Sequence, residues 1–171
     1  MNRRAYVVAI VLVLLLGACR REGEHKPSKL IAPLYSGQSL QTAQRVLELE
    51  AGNWDVLEDR RPLPSDKRPP FRIFTISKKN WPHNASKGEL VMTFFNDRLM
   101  TTQFYTDNLE QFKAALQGQD SLIFSEAGDT KIEPSTRVWI GKDASGRRYV
   151  GWIDKVLQRE HDDWVSKYAQ S

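Results

Sequence analysis

One cysteine, Cys19, stands in a chain of 171 residues. A single thiol excludes an internal disulfide framework, so stability must come from packing. Histidine is almost as scarce: His25, His83 and His161 are never at zinc-ligand spacing, and no H-E-x-x-H occurs. No metal site and no cofactor are expected. The chain also lacks a G-x-S-x-G nucleophile elbow, a P-loop and a G-x-G-x-x-G fingerprint. His161 is followed by Asp162 and Asp163, but neighbouring helix positions point about 100° apart, and His161 reads as a packed residue of an apolar stripe. These gaps point away from an enzyme. A carboxylate pair of the glycosidase type stays open, because its separation is tertiary information.

Long apolar runs are missing as well. The longest is twelve residues, Ala5 to Leu16, preceded by Arg3 and Arg4 and stopped by Arg20 and Arg21. A bilayer span needs about 20 residues, whereas a basic start and a short apolar stretch describe a secretory signal. Leu16, Gly17, Ala18 and Cys19 resemble the lipobox of bacterial lipoproteins, in which signal recognition at the first three residues precedes a lipidated cysteine. The resemblance implies cleavage after residue 18 and diacylglycerol on Cys19, with a third acyl chain on its amine in most Gram-negative bacteria. One acyl chain holds a protein only marginally, so two or three make a durable membrane anchor. Arg20 in place of the aspartate associated with inner-membrane retention implies the periplasmic face of the outer membrane. The alternative is an ordinary secreted protein with a free thiol near its start.

Large net charge is absent too. The formal charge is +4, and loss of Arg3 and Arg4 with the signal leaves +2. Nucleic-acid binding, which needs a concentrated basic surface, is not expected. Residues 19–36 mix charges with Pro27 and Pro33 and read as a lipidated tether, with Leu30, Ile31, Leu34 and Tyr35 packed on the domain edge. Residues 37–171 suffice for one domain.

The pattern within that domain predicts α+β: an antiparallel sheet of hairpins with three helices packed on one face or end. A helix is predicted over 40–51, capped by Ser39 and closed by Gly52. WDVLED (54–59) and FRIFTIS (71–77) alternate like strands. Between them RRPLPSDKRPP (60–70) reads as an exposed loop, and SKKNWPHNASKG around Trp81 reads as another. GELVMTFF and LMTTQFYT flank a short turn at Asn96, Asp97 and Arg98, a hairpin signal. Asp107 and Glu110 suggest a capping box for a helix ending at Gly118. SLIF (121–124) suits a short strand. TRVWIGKD and RRYVGWI make another hairpin around Ala144, Ser145 and Gly146, and Asp154 can cap a last helix with Leu157, His161, Trp164 and Tyr168 on one stripe. Two hairpin-then-helix units, 88–117 and 136–169, follow one another without matching residues; convergent use of one supersecondary piece explains this better than duplication.

The first helix, SGQSLQTAQRVLEL (36–49), and the hairpin ELVMTFFNDRLMTTQFY (89–105) are similar to small outer-membrane lipoproteins of the BamE (SmpA/OmlA) type. That resemblance spans about 70 residues and implies a small α+β envelope domain. It carries over no functional residue: no Gly-Pro pair follows the helix, a proline loop interrupts the sheet, and a second hairpin and helix follow. Trp81, beside lysines, reads either as a partner-binding hot spot or as a lid folded onto the sheet. Arg60, Arg61, Lys67 and Arg68 in the proline loop are further partner-binding candidates. The sequence thus predicts a membrane-anchored periplasmic lipoprotein that binds a protein noncatalytically, in envelope assembly or maintenance. The alternatives are an inhibitor or immunity lipoprotein against a periplasmic hydrolase or toxin, and a small envelope glycan hydrolase.

Overall fold

The computed structural model describes residues 26–50, 52–120, 129–133 and 135–169. Among these described residues, seven antiparallel strands form one sheet. They are β1 (Asp55–Arg60), β2 (Ile73–His83), β3 (Ser86–Phe95), β4 (Arg98–Thr106), β5 (Asp129–Glu133), β6 (Thr136–Lys142) and β7 (Arg148–Asp154), and the helices are α1 (Leu40–Val46), α2 (Leu109–Asp120) and α3 (Lys155–Tyr168). The order across the sheet is β1-β2-β3-β4-β7-β6-β5. Two meanders therefore meet at its centre, where Thr101 to Phe104 of β4 pair with Ile153 to Val150 of β7. The α+β class, with an antiparallel sheet and three helices, is as expected. The expected strand at SLIF and the lipidation segment, Leu16, Gly17, Ala18 and Cys19, lie outside the described residues.

Strand alternation sends side chains to two faces. Phe74, Ile76, Leu90, Met92, Phe94, Leu99, Phe104, Val138, Val150 and Trp152 point to the first, where they pack with Ala43 of α1 and with Phe112 and Leu116 of α2. Ile73, Phe95 and Met100 point to the second, packing with Phe71 and with Leu157 of α3, and Ile153 and Trp164 lie against them. The helices thus divide between the faces, α1 and α2 on one and α3 on the other. An axis perpendicular to the sheet relates β4 to its antiparallel neighbour β7. It would keep α2 and α3 on one face, so the two hairpin-then-helix units are not copies about that axis.

Several boundaries move. Residues 28–36 belong to the domain and not to a tether: Leu30, Ile31 and Leu34 are buried in the first core, while Tyr35 is exposed. The segment is tied down by Gly37 N donating to Leu99 O at 2.9 Å and Leu99 N donating to Gln38 O at 2.8 Å. Helix α1 stops at Val46, short of residue 51, because Glu48 takes a left-handed φ of 51°. Leu49 N reaches Gln44 O and Glu48 N reaches Arg45 O, which satisfies the last carbonyls. The cap of α2 is Asn108 and not Asp107: its Oδ1 accepts from Gln111 N at 3.1 Å. That helix runs past Gly118 to Asp120.

The largest change is at β2, which continues through the expected loop to His83 and turns back into β3 on Asn84 and Ala85, both at positive φ. Pro82 is tolerated there because β1 pairs with β2 only as far as Ser77, leaving that side of the strand without a ladder. A bulge between Lys78 and Trp81, with Asn80 at φ 56°, resets the alternation so that Trp81 faces the first core.

Candidate functional site

Trp81 is only 8% exposed, with its ring stacked on His83 at 4.9 Å and edge-on to Phe104 at 5.6 Å. Its reading as an exposed hot spot is therefore corrected: the indole is core, in a strand, and offers no free face to a partner. The basic residues of the proline loop have a different fate. Arg60, Arg61 and Arg68 converge on a groove of about 300 Å³ between that loop and α3, with Pro62, Asp66, Phe71, Trp164, Val165 and Ala169 completing its lining. Lys67 lies in the same loop and is exposed.

The groove has an aromatic floor. Trp164 leaves α3 on the same stripe as Leu157 and His161 and packs its ring 4.2 Å from that of Phe71. Tyr168, one turn on, lies 5.4 Å from Trp164. His161 closes the inner end against Phe71 and Phe95, at 5.7 and 5.5 Å. This is the packed role expected for it. The indole Nε1 donates to Pro69 O at 3.0 Å, which fastens the proline loop to the helix.

Arg68 fastens the loop a second time. Its Nη1 donates to Tyr168 O at 2.8 Å, and its guanidinium lies 5.4 Å from the Trp164 ring. Asp66 holds it from the loop side at 2.6 Å. The Arg68 side chain and then its backbone N–H lower the Asp66 carboxyl to about 2. Across the groove Arg61 pairs with Asp59 at 2.5 Å, and Arg72 joins the same carboxylate at 3.1 Å. The hydrogen bond from Arg61, then that from Arg72, holds Asp59 well below the usual carboxylate range. Arg60 pairs with Glu58 at 2.7 Å and stays largely exposed.

The result is an apolar strip with an arginine rim, built on a loop that two side chains tie to a helix. Leu63, 73% exposed, and Val165, 36% exposed, extend the apolar surface. Three of the five residues predicted for partner binding thus share one groove. Trp164, Phe71 and Val165 were not predicted for it, because nothing local tells a packed helix stripe from the floor of a groove. Among the described residues no group of three or more His, Cys, Asp and Glu could hold a metal ion, and no helix is long and apolar enough to cross a membrane. The chain matches no known protein-family profile, and no curated protein matches it.

Proposed function

We propose that this protein is a lipid-anchored envelope protein that acts noncatalytically, holding a protein partner in the groove between the proline loop and α3. The observation that carries the reading is the groove's make-up: Trp164 and Arg68 in contact beside Phe71, with Val165 exposed next to them and Tyr168 backing the indole. Tryptophan and arginine are among the residues that dominate binding hot spots. The charges suit docking better than chemistry, since the rim arginines each have a carboxylate counter-ion. Membrane attachment rests on Leu16, Gly17, Ala18 and Cys19, and the preference for the outer over the inner membrane on Arg20.

The test is photo-crosslinking in intact cell envelopes, with the crosslinker at the exposed position Leu63. A discrete protein adduct is expected, and Val165→Glu, which puts a charge on the apolar strip without touching the core, should abolish it. Absence of an adduct, or an adduct indifferent to Val165→Glu, defeats the reading. Palmitate labelling of wild type against Cys19→Ala tests the anchor separately, and equal labelling would defeat it.

A further inference from the structure

A second hollow, of about 570 Å³, opens at the far end of the sheet, where β2, β3, β4 and β7 meet the first turn of α2. That size is within the range of small-ligand sites. Its lining includes Lys79, Lys87, Glu89, Tyr105, Asp107 and Arg147. Nothing in the proposed groove uses it. We infer that this hollow, with the aromatic strip that leads out of it across β7 and β6, binds a saccharide.

The charges argue for a ligand that is hydroxyl-rich and not strongly anionic. Arg147 donates to Glu89 at 2.9 Å and to Asp143 at 3.1 Å. Lys79 pairs with Asp55 at 2.8 Å, and Arg148 lies 3.7 Å from Glu110. A phosphate or carboxylate approaching these three cations meets their carboxylates first, which leaves Lys87 as the one lining cation without an ion pair among the described residues. A sugar hydroxyl both donates and accepts, so it can use such pairs without breaking them. A guanidinium has five N–H donors and a carboxylate about four lone-pair sites; the two ion pairs of Arg147 leave capacity on both partners. Glu89 is committed to Arg147, a pairing that suits binding better than hydrolysis.

The rings supply the apolar half of sugar recognition. The guanidinium of Arg147 is 4.5 Å from the Tyr105 ring, Tyr105 is 5.1 Å from Tyr149, and Tyr149 is 6.1 Å from Trp139. All three rings are half-buried on the second face of the sheet, and none belongs to either core cluster. Two of them lie over glycines: a Cβ on Gly151 would come within 2.5 Å of the Trp139 ring, and one on Gly141 within 2.5 Å of the Tyr149 ring. Glycine at those two positions lets the rings lie against the backbone. The rings are not coplanar, Tyr149 lying at 48° to Tyr105 and at 84° to Trp139, so the strip meets a glycan with a mixture of ring faces and ring edges, at spacings comparable to the rise of one hexose along the chain.

The experiment titrates the detergent-solubilised full-length protein with chitohexaose, maltohexaose and inorganic phosphate, by calorimetry and saturation-transfer NMR. At least one of the two oligosaccharides should bind saturably, with phosphate not competing. Tyr105→Ala and Tyr149→Ala should each weaken binding by about 3- to 10-fold, the range of one lost ring contact. Val165→Glu should leave it unchanged, which separates this site from the protein groove. Both tyrosines are half-exposed, and an unchanged unfolding midpoint would show that the variants fold. Failure of both oligosaccharides to bind, saccharide binding indifferent to both tyrosines, or phosphate competing for the site would each overturn the assignment.

Discussion

Asp143 shows how one side chain can organise a turn. Its Oδ1 accepts from Ser145 N, Ser145 Oγ and Arg147 N at 2.9, 2.7 and 2.9 Å, and its Oδ2 from Arg147 Nε at 3.1 Å. Gly146 takes the positive φ of 84° that the connection between β6 and β7 requires. These donors, the Ser145 hydroxyl foremost, lower the carboxyl to about 2 from an ordinary value of 3.8. The folded-state value is the lower one, so ionised Asp143 favours folding above the ordinary carboxylate range. That contribution fades as pH drops below about 4 and is gone below about 2. Carboxyl carbon shifts followed against pH should give a midpoint near 2 for Asp143, moving up in Ser145→Ala. A wild-type midpoint in the ordinary range would contradict this. Asp154 does related work in the interior: its Oδ1 caps α3 by accepting from Val156 N and Leu157 N, while Oδ2 accepts from Ser36 Oγ at 2.6 Å. A residue readable in the sequence as a helix cap is therefore also the bolt for the N-terminal segment. Ser28 and Ser135 hydrogen bond beside it.

At the scale of elements, the two hairpins β2–β3 and β3–β4 use the same device with different chemistry. Asn96 and Asp97 turn the second at φ 47° and 61°, and Asn84 and Ala85 turn the first at φ 47° and 59°. Asparagine and aspartate tolerate the left-handed region, but alanine there costs about 1–2 kcal/mol. Glycine recovers that strain at some cost in chain entropy, so Ala85→Gly should stabilise the protein by about 0.5–1 kcal/mol. A urea midpoint that falls on substitution would disprove it. The same contrast explains what could be read in advance. The β3–β4 hairpin was legible because GELVMTFF and LMTTQFYT are apolar on both sides of a good turn. The β2–β3 hairpin was not, because its arms carry Lys78, Lys79, Asn80, Pro82 and Lys87 and its turn has Ala85 where the other has Asp97. Helix α1 kept its apolar spacing through Leu47, yet its end is set by Glu48 in a conformation that composition does not announce. Asp107 and Asn108 are equally good caps, so the one-residue error at α2 was inherent. In the groove, loop composition marked the arginines, while Trp164 and Phe71 reach it only through the packing of α3 on the second face.

At the scale of the whole molecule, the segment just after the proposed anchor is the least expected part of the core. On that proposal eight residues, 20–27, lie between Cys19 and Ser28, and the nine steps of chain from one to the other, even fully extended, span about 30 Å at most. The domain therefore begins close to the membrane, and its first turn is already packed: Ser28 and Ser36 are buried, as are the three aliphatic residues between them. Burial of Leu30, Ile31 and Leu34 contributes about 1.5–3 kcal/mol each. Together that is of the same order as the 5–15 kcal/mol of a typical domain. Soluble chains starting at Ser28 and at Gly37 should consequently behave very differently in urea. The first should unfold in one cooperative transition, because all described packing is retained. The second loses the three aliphatic side chains, the Ser36 bond to Asp154 and the bond between Ser28 and Ser135. It should be largely unfolded without denaturant, or unfold at a far lower midpoint, as read by tryptophan fluorescence and far-UV dichroism. Equal midpoints would mean that residues 28–36 are a tether after all, and the domain boundary would return to residue 37.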